Sequence, residues 1–309
     1  MRSAEQLILV SRRSTGNLDF SENAGVQDEE FLQGLNDAQE EIHALINGLF
    51  PFILMGEKIQ DITANVANYP IPSDCYMGTR IDHVEYSPSG IASDYYPIRK
   101  GYPRERINGQ AGNPAFYIRQ GSELIIQPPP QSGGKIRITY QRSIPILDKK
   151  RATVASVVLT GSSITSLVLD TTQDLDAAAL LEQNYITILD KYGSVKMDGI
   201  PVDAIDIATG IVTVSPGFTF DASETIAAGD SVVRGKYAST HSQLPEICEK
   251  YLLEYCNMRI FMRDSSTDQG DVAKLMQKIE ATLQKAFAEP DSDPNRIPII
   301  DPSYLGYEL

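Results

Sequence analysis

One stripe of apolar side chains limits what this chain can fold into more than any other feature. Phe31, Leu35, Ala38, Ile42, Leu45 and Leu49 recur at steps of four and three, which makes one continuous face on an α-helix. Asp28, Glu29 and Glu30 fall in its first turn, where the helix dipole favours anions, and Pro51 stops it. That face needs other helices to cover it. The first half of the chain offers one more, residues 4–13, opened by a Ser3/Gln6 capping box and closed by Gly16-Asn17. The remaining helical patterns lie near the other terminus. Pro245 stands at a first helical position, and Ile247, Tyr251, Tyr255, Met258 and Met262 follow at helical spacing. After a polar break at 264–268, Val272, Leu275, Ile279, Leu283 and Ala286 repeat the pattern. Neither end has enough helix for a core of its own, so the expected topology is discontinuous: helices from both termini pack together around an inserted β region.

That β region reads in two parts. Between 57 and 150, short strands are expected at 80–86, 95–99, 115–120, 123–127 and 135–141. In the last of these, Ile136, Ile138 and Tyr140 alternate with Lys135, Arg137, Thr139 and Gln141. Pro128-Pro129-Pro130 and Ser132-Gly133-Gly134 form the connection before it. Residues 151–236, rich in Val, Ile, Thr and Ser, carry six more short strands and suggest a small barrel or sandwich. The expected fold class is α+β. It comprises a helical part at 1–56, a β-rich domain at 57–150, an inserted β module at 151–236, a second helical part at 237–288 and an extended tail at 289–309. In that tail prolines recur at 290, 294, 298 and 302, a spacing no helix survives. At about 3 Å per residue it would reach on the order of 60 Å. Its apolar anchors are Ile297, Ile299, Ile300, Tyr304, Leu305 and Tyr307.

Composition closes several function classes. No apolar run approaches the roughly 20 residues of a membrane span, and the first residues lack the pattern of a signal peptide, so a soluble protein made and used on the cytosolic side is expected. Three cysteines (Cys75, Cys248, Cys256) without a CxxC argue against a disulfide framework or a zinc site, and the cysteines at 248 and 256 read as small core residues. His43, one position beyond Ile42, reads as a flank residue rather than a ligand. Gly133-Gly134-Lys135 lacks the upstream glycine of a phosphate loop, and Gly109 and Gly112 do not make a dinucleotide fingerprint. No catalytic constellation stands out among the carboxylates. An enzyme is not expected, nor a cofactor or a metal.

Charge is unevenly placed. The net charge is −14. Residues 1–98 carry 5 basic and 15 acidic groups, 99–151 carry 11 and 3, and 152–309 carry 11 and 23. The basic island comprises Arg99, Lys100, Arg104, Arg106, Arg119, Lys135, Arg137 and Arg142. It reads as a solvated face, a surface for DNA, or a patch meeting the acidic surface of another copy. Opposite charges on two sides of one subunit favour head-to-tail contacts, which close into rings when the rotation allows.

The order of motifs resembles a known family. An N-terminal helix ends in Arg12-Arg13 and Thr15-Gly16-Asn17, and the second carries Leu35-Asn36-Asp37-Ala38-Gln39. Tyr69-Pro70-Ile71-Pro72 opens the β segment. Gly112-Asn113-Pro114-Ala115-Phe116-Tyr117, Leu124-Ile125-Ile126-Gln127-Pro128-Pro129-Pro130 and Ile138-Thr139-Tyr140-Gln141 follow. Leu244-Pro245 then opens a tyrosine-rich helix before the Pro-rich tail. Over about 1–150 and 240–309 this resembles the head–tail adaptor (connector) proteins of tailed bacteriophages, in particular the tail tubular protein A type of short-tailed phages. The resemblance implies a structural virion protein of the neck, assembled in the host cytoplasm. It would form a ring of about twelve copies beneath the portal protein. The ring would extend the DNA channel, pass double-stranded DNA without specific binding, and present a surface to the next tail or nozzle protein. The docking arm onto the portal would be the tail with the six anchors named above, and no membrane would be involved. The alternative is a virion or cell-surface adhesin whose β module binds carbohydrate.

Overall fold

The computed structural model describes residues 2–19, 25–106, 111–160, 163–172, 175–215, 226–263 and 269–287. The polar break at 264–268 and the tail lie outside the described residues. The chain divides into two units, Met1–Asp268 and Gln269–Leu309.

In the first unit, α1 (Ala4–Thr15) and α2 (Asp28–Leu49) lead into a sheet built from β1 (Met55–Ile62), β2 (Asn68–Pro70), β3 (Ile81–Ser87), β4 (Tyr96–Lys100), β5 (Phe116–Gln120), β6 (Glu123–Gln127) and β7 (Gly134–Gln141). A short β8 (Ile146–Leu147) precedes β9 (Ala152–Thr160), β10 (Ser163–Leu169), a helical turn α3 (Ala177–Glu182), β11 (Tyr185–Leu189), β12 (Val195–Asp206), β13 (Ile211–Val214) and β14 (Ser231–Arg234). The chain returns through β15 (Ala238–Ser239) into α4 (Glu249–Arg263). The second unit is described by α5 (Gln269–Phe287), with Val272, Leu275, Ile279 and Leu283 along one stripe and Asp271 and Lys285 at the ends the dipole favours.

The class is α+β, with helices from both ends of the sequence and two β regions. α1, α2 and α4 pack on one another. α1 begins at the Ser3/Gln6 capping box and ends at Gly16 in the left-handed conformation, where the backbone needs a residue without Cβ. Phe31, Leu35, Ala38 and Ile42 of α2 are fully buried, as their spacing requires. Further along, Ile46 replaces Leu45 and Leu49 as the buried residue. The five steps from Phe31 to Leu49 average 3.6 residues, so the stripe keeps its angular position; Ile46 is buried because it lies beside it, on the side where Gln39 and His43 are also buried. On α4 the buried face is Tyr251, Leu252, Tyr255, Cys256 and Ile260, whereas Ile247 is exposed and the two methionines lie off it. Pro245 caps a 3₁₀ turn (Glu246–Cys248) rather than opening the α-helix. That turn's tighter winding breaks the phase between Ile247 and the helix after it. Gly34 lets α2 and α4 approach: a Cβ there would lie 3.1 Å from Cys256 Sγ.

The seven strands run in the order β1-β7-β3-β4-β5-β6-β2. One face of the sheet curls around a shared core that includes Val84, Tyr86, Ile98, Tyr117, Leu124, Ile126, Ile136, Ile138 and Tyr140. The other barrel-like element is a closed six-stranded barrel, β10-β13-β12-β11-β14-β9, filled by residues such as Leu167, Leu180, Ile186, Ile188, Ile200, Val212 and Val232. The chain enters and leaves this barrel along one ribbon, in which β8 and β15 pair in parallel.

Candidate functional site

The segment that joins the sheet to the barrel, residues 142–151, runs along a polar stripe of α2. Asn36, Gln39 and His43 stand three and four residues apart, so they share a helix face beside the apolar one. The Asn36 side chain donates from Nδ2 to the Leu147 carbonyl (2.9 Å) and accepts from the Leu147 N–H (2.7 Å). Gln39 Nε2 donates to the Pro145 carbonyl at 2.8 Å. His43 Nε2 lies 3.0 Å from the Arg142 carbonyl, and its ring stands edge-on to Tyr76 at 4.6 Å. Two turns nearer the start of the helix than Asn36, Glu29 reaches Arg151 (2.8 Å) and Lys149 (3.6 Å). Helix numbers rise as linker numbers fall, so the two segments are stitched together antiparallel over four contact points. His43 is therefore a buried residue, not a flank residue. Burial holds its pKa below the ordinary imidazole value despite the Arg142 carbonyl and the Glu40 charge, which favour the cation.

Buried charge gathers at the barrel end of this seam. Arg151 and Asp148 are each about 1% exposed and joined by hydrogen bonds from Nε (3.0 Å) and Nη2 (2.6 Å). Asp176, the cap of α3, takes a bond from Arg151 Nη1 at 2.8 Å. Arg234 of β14 reaches Glu29, Glu182 and the rim of Asp148. Helix α2, the linker and the barrel thus share one ionic network. Desolvation opposes the charge on Arg151, but Asp148, Glu29 and Asp176 outweigh it and hold its pKa above the ordinary value. Partial burial would raise the Glu29 carboxyl; Arg151 and Arg234 more than offset this and hold it below the usual carboxylate range. A second buried guanidinium, Arg12, bonds Asp28 (2.7 Å) and the Asp19 carbonyl (2.7 Å) and lies 5.1 Å over the Phe31 ring.

The basic island is divided by strand alternation and by position. Arg137 lies on the open face of the sheet, paired with Glu85 and at 4.0 Å from Glu57, 4.4 Å over Tyr95. Lys135 pairs with Asp61 at 3.2 Å. Arg99 forks onto Glu105 and covers the Phe116 ring at 4.9 Å. Arg142 belongs to the seam, paired through its backbone with Cys75. Lys100, Arg104, Arg106 and Arg119 are exposed, and among the described residues none of them makes an ion pair; Arg104 stands over the Tyr102 ring at 5.5 Å. The register places these four at one end of the sheet. β4 and β5 run parallel, so their C-terminal ends point the same way, with Lys100 beside Tyr117 and β5 continuing to Gln120, and antiparallel β3 begins at that end. The tail anchors Ile297, Ile299, Ile300, Tyr304, Leu305 and Tyr307 lie outside the described residues.

Among the described residues no cluster of three or more His, Cys, Asp or Glu side chains could hold a metal ion, and no helix is long and apolar enough to cross a membrane. Cys248 and Cys256 are buried, and burial pushes both thiols up to about 12. The grooves beside α2 are open; one of about 360 Å³ is lined by Asp37, Glu40, His43, Tyr76, Ser143 and Ile146. Sequence reasoning missed the seam because its partners are backbone carbonyls, which carry no residue signature; the only trace is a polar stripe, Asn36, Gln39 and His43, beside an apolar one.

The family described as SU10 adaptor protein matches residues 4–195. The match covers α1, α2, the whole sheet, the seam and the first half of the barrel, and so runs past residue 150, where the motif resemblance breaks off. No curated protein matches the chain.

Proposed function

The chain belongs to the SU10 adaptor family, which makes it a phage adaptor protein, and from that premise we propose that it is the head-to-tail adaptor of a tailed-phage virion. In this reading copies of the chain form a ring beneath the portal, prolong the DNA channel and anchor the tail component below. The role is structural, and it is exercised in the virion neck after assembly in the host cell.

The observation that carries this reading is the seam. An adaptor has to transmit force between neighbours without changing shape. Here α2 is tied at four points to the linker between sheet and barrel, and one buried ionic network joins all three. The acidic balance of the chain suits a channel that DNA must traverse without adhering, because carboxylates repel phosphates. The Pro-spaced tail supplies the arm for the portal, with Ile297, Ile299, Ile300, Tyr304, Leu305 and Tyr307 as its anchors. The short-tailed type of phage is the refinement the motif order favours.

The test is electron microscopy of the purified chain, alone and mixed with portal-bearing heads, beside a variant lacking residues 291–309. Rings on the portal for the full chain and none for the truncated one are expected, with both proteins melting alike. A full chain that ignores the portal would overturn the adaptor reading, and a truncated chain that still loads would overturn the docking arm.

A further inference from the structure

We infer that the basic end of the sheet is the surface by which one copy of this chain grips the acidic surface of the next, a refinement that rests on the adaptor reading. Three segments meet there: the 76–80 turn before β3, the 101–106 segment after β4, and the last residues of β5. Arg80, Lys100, Arg104, Arg106 and Arg119 are exposed and, among the described residues, form no ion pair. The carboxylates beside them are engaged elsewhere. Glu105 holds Arg99, Glu123 accepts from Asn68, and Asp82 lies 2.8 Å from its neighbour His83. Set against these carboxylates, the five exposed cations still leave this end of the sheet with a net positive charge.

Two large apolar side chains stand among these cations. Met77 is 67% exposed and Tyr102 63%. Met77 is also held at φ 52°, beside Gly78 at φ 60°, in a turn closed by the Gly78 N–H on the Cys75 carbonyl at 2.8 Å. A left-handed conformation is uncommon for a residue that carries a Cβ, and here it occurs at an apolar side chain that stands in solvent. Arginine, tyrosine and methionine are the residues enriched at protein–protein interfaces, and charges around an apolar centre set the register of a contact.

The occupant follows from charge. Outside 99–151 this chain is acidic on both flanks, net −10 over residues 1–98 and −12 over 152–309. A second copy therefore offers the complement. Two basic ends set directly against each other would repel; a basic end seated on an acidic surface elsewhere on the next copy makes a head-to-tail contact, the arrangement that closes into a ring or runs on as a filament.

The test uses the full chain and the triple variant Arg104→Glu, Arg106→Glu, Arg119→Glu, with a second variant, Met77→Ser with Tyr102→Ala, that leaves the charge alone. Sedimentation velocity at low and high ionic strength reads the oligomer, and a thermal melt confirms the fold. The expected result is a wild-type oligomer that dissociates as salt rises, with both variants monomeric at the same concentration and melting as wild type. Variants that sediment like wild type would overturn the inference while leaving portal loading, scored separately on heads, to support the adaptor reading. Loss of self-association in the variants together with a wild type that ignores the heads would keep the inference and sink the adaptor reading. A wild type that stays monomeric yet binds a short DNA duplex, with binding lost in the triple variant, would assign this end to nucleic acid and overturn the second copy as its occupant.

Discussion

Asn36 and Leu147, 111 positions apart, are joined as if they were neighbouring strands: the side-chain amide of one brackets the backbone N–H and carbonyl of the other, at 2.7 and 2.9 Å. β8 pairs with β15 on one edge only, so its other edge would otherwise leave two backbone groups buried beneath α2. A helix side chain thus completes a strand. Replacing Asn36 by Ala should cost about 1–3 kcal/mol, the penalty for orphaning buried polar groups. Denaturant unfolding checks this against exposed Glu41→Ala, for which a change within about 0.5 kcal/mol is expected. Equal stabilities would show that the bracket contributes nothing.

The Arg151–Asp148 pair should behave as a buried ion pair. Arg151→Met leaves the Asp148 carboxylate desolvated with only the Arg234 backbone and rim for company, a loss of about 3–5 kcal/mol. Adding Asp148→Leu should recover much of it, since an apolar pair needs no compensation. Glu29→Gln, at a partly exposed position, should cost under about 1 kcal/mol. The double variant being worse than the single one would contradict this account.

Stability should fall as the solution is acidified, in two stages. The folded chain holds His43 and His241 below their ordinary value of 6.5, in both cases chiefly because burial disfavours the imidazolium. The unfolded chain then binds more protons, so this contribution is complete above about 6.5 and declines as pH drops below it. Glu29 and Asp176, held below the carboxylate range, add a second decline below their ordinary values of 4.5 and 3.8. Melting temperature against pH should show both stages. In His43→Gln, where an amide can still donate to the Arg142 carbonyl, the first should shrink; an unchanged slope between pH 7 and 5 would rule out His43 as its source.

Cys75, Cys248 and Cys256 are free and buried, and burial raises all three thiols. Thiolate is the reactive form, so iodoacetamide at mildly alkaline pH should leave the native protein unlabelled and modify all three residues in denaturant. Intact-mass measurement distinguishes the two. Rapid native labelling would mean that the α2–α4 contact around Cys256 opens on the timescale of the reaction.

Where structure is local, residue spacing was enough to read it. The capping box at Ser3, the start of α2 and the span of β6 (Glu123–Gln127) follow from patterns a few residues long, because hydrogen bonding within a turn and alternation across a pleat are short-range effects. β1 escaped, since an edge strand with Glu57, Lys58, Ile59 and Asp61 in solvent has no alternation to detect. The basic island is contiguous in the sequence, yet alternation and register divided it: Arg99, Lys135 and Arg137 are spent on carboxylates from other strands or loops, whereas Lys100, Arg104, Arg106 and Arg119, at one end of the sheet, make no ion pair among the described residues.

By itself, then, the sequence determined the helices, most of the strands, the α+β class and the discontinuous order, through periodicities that each element enforces on its own residues. Tertiary structure alone decided the seam and the buried network. Asn36, Gln39 and His43 bond to backbone carbonyls that every residue possesses, and Glu29 meets Arg151 across 122 positions. No spacing rule spans such a distance; these partners are chosen only when the helix and the linker are brought together by the apolar surfaces each must bury.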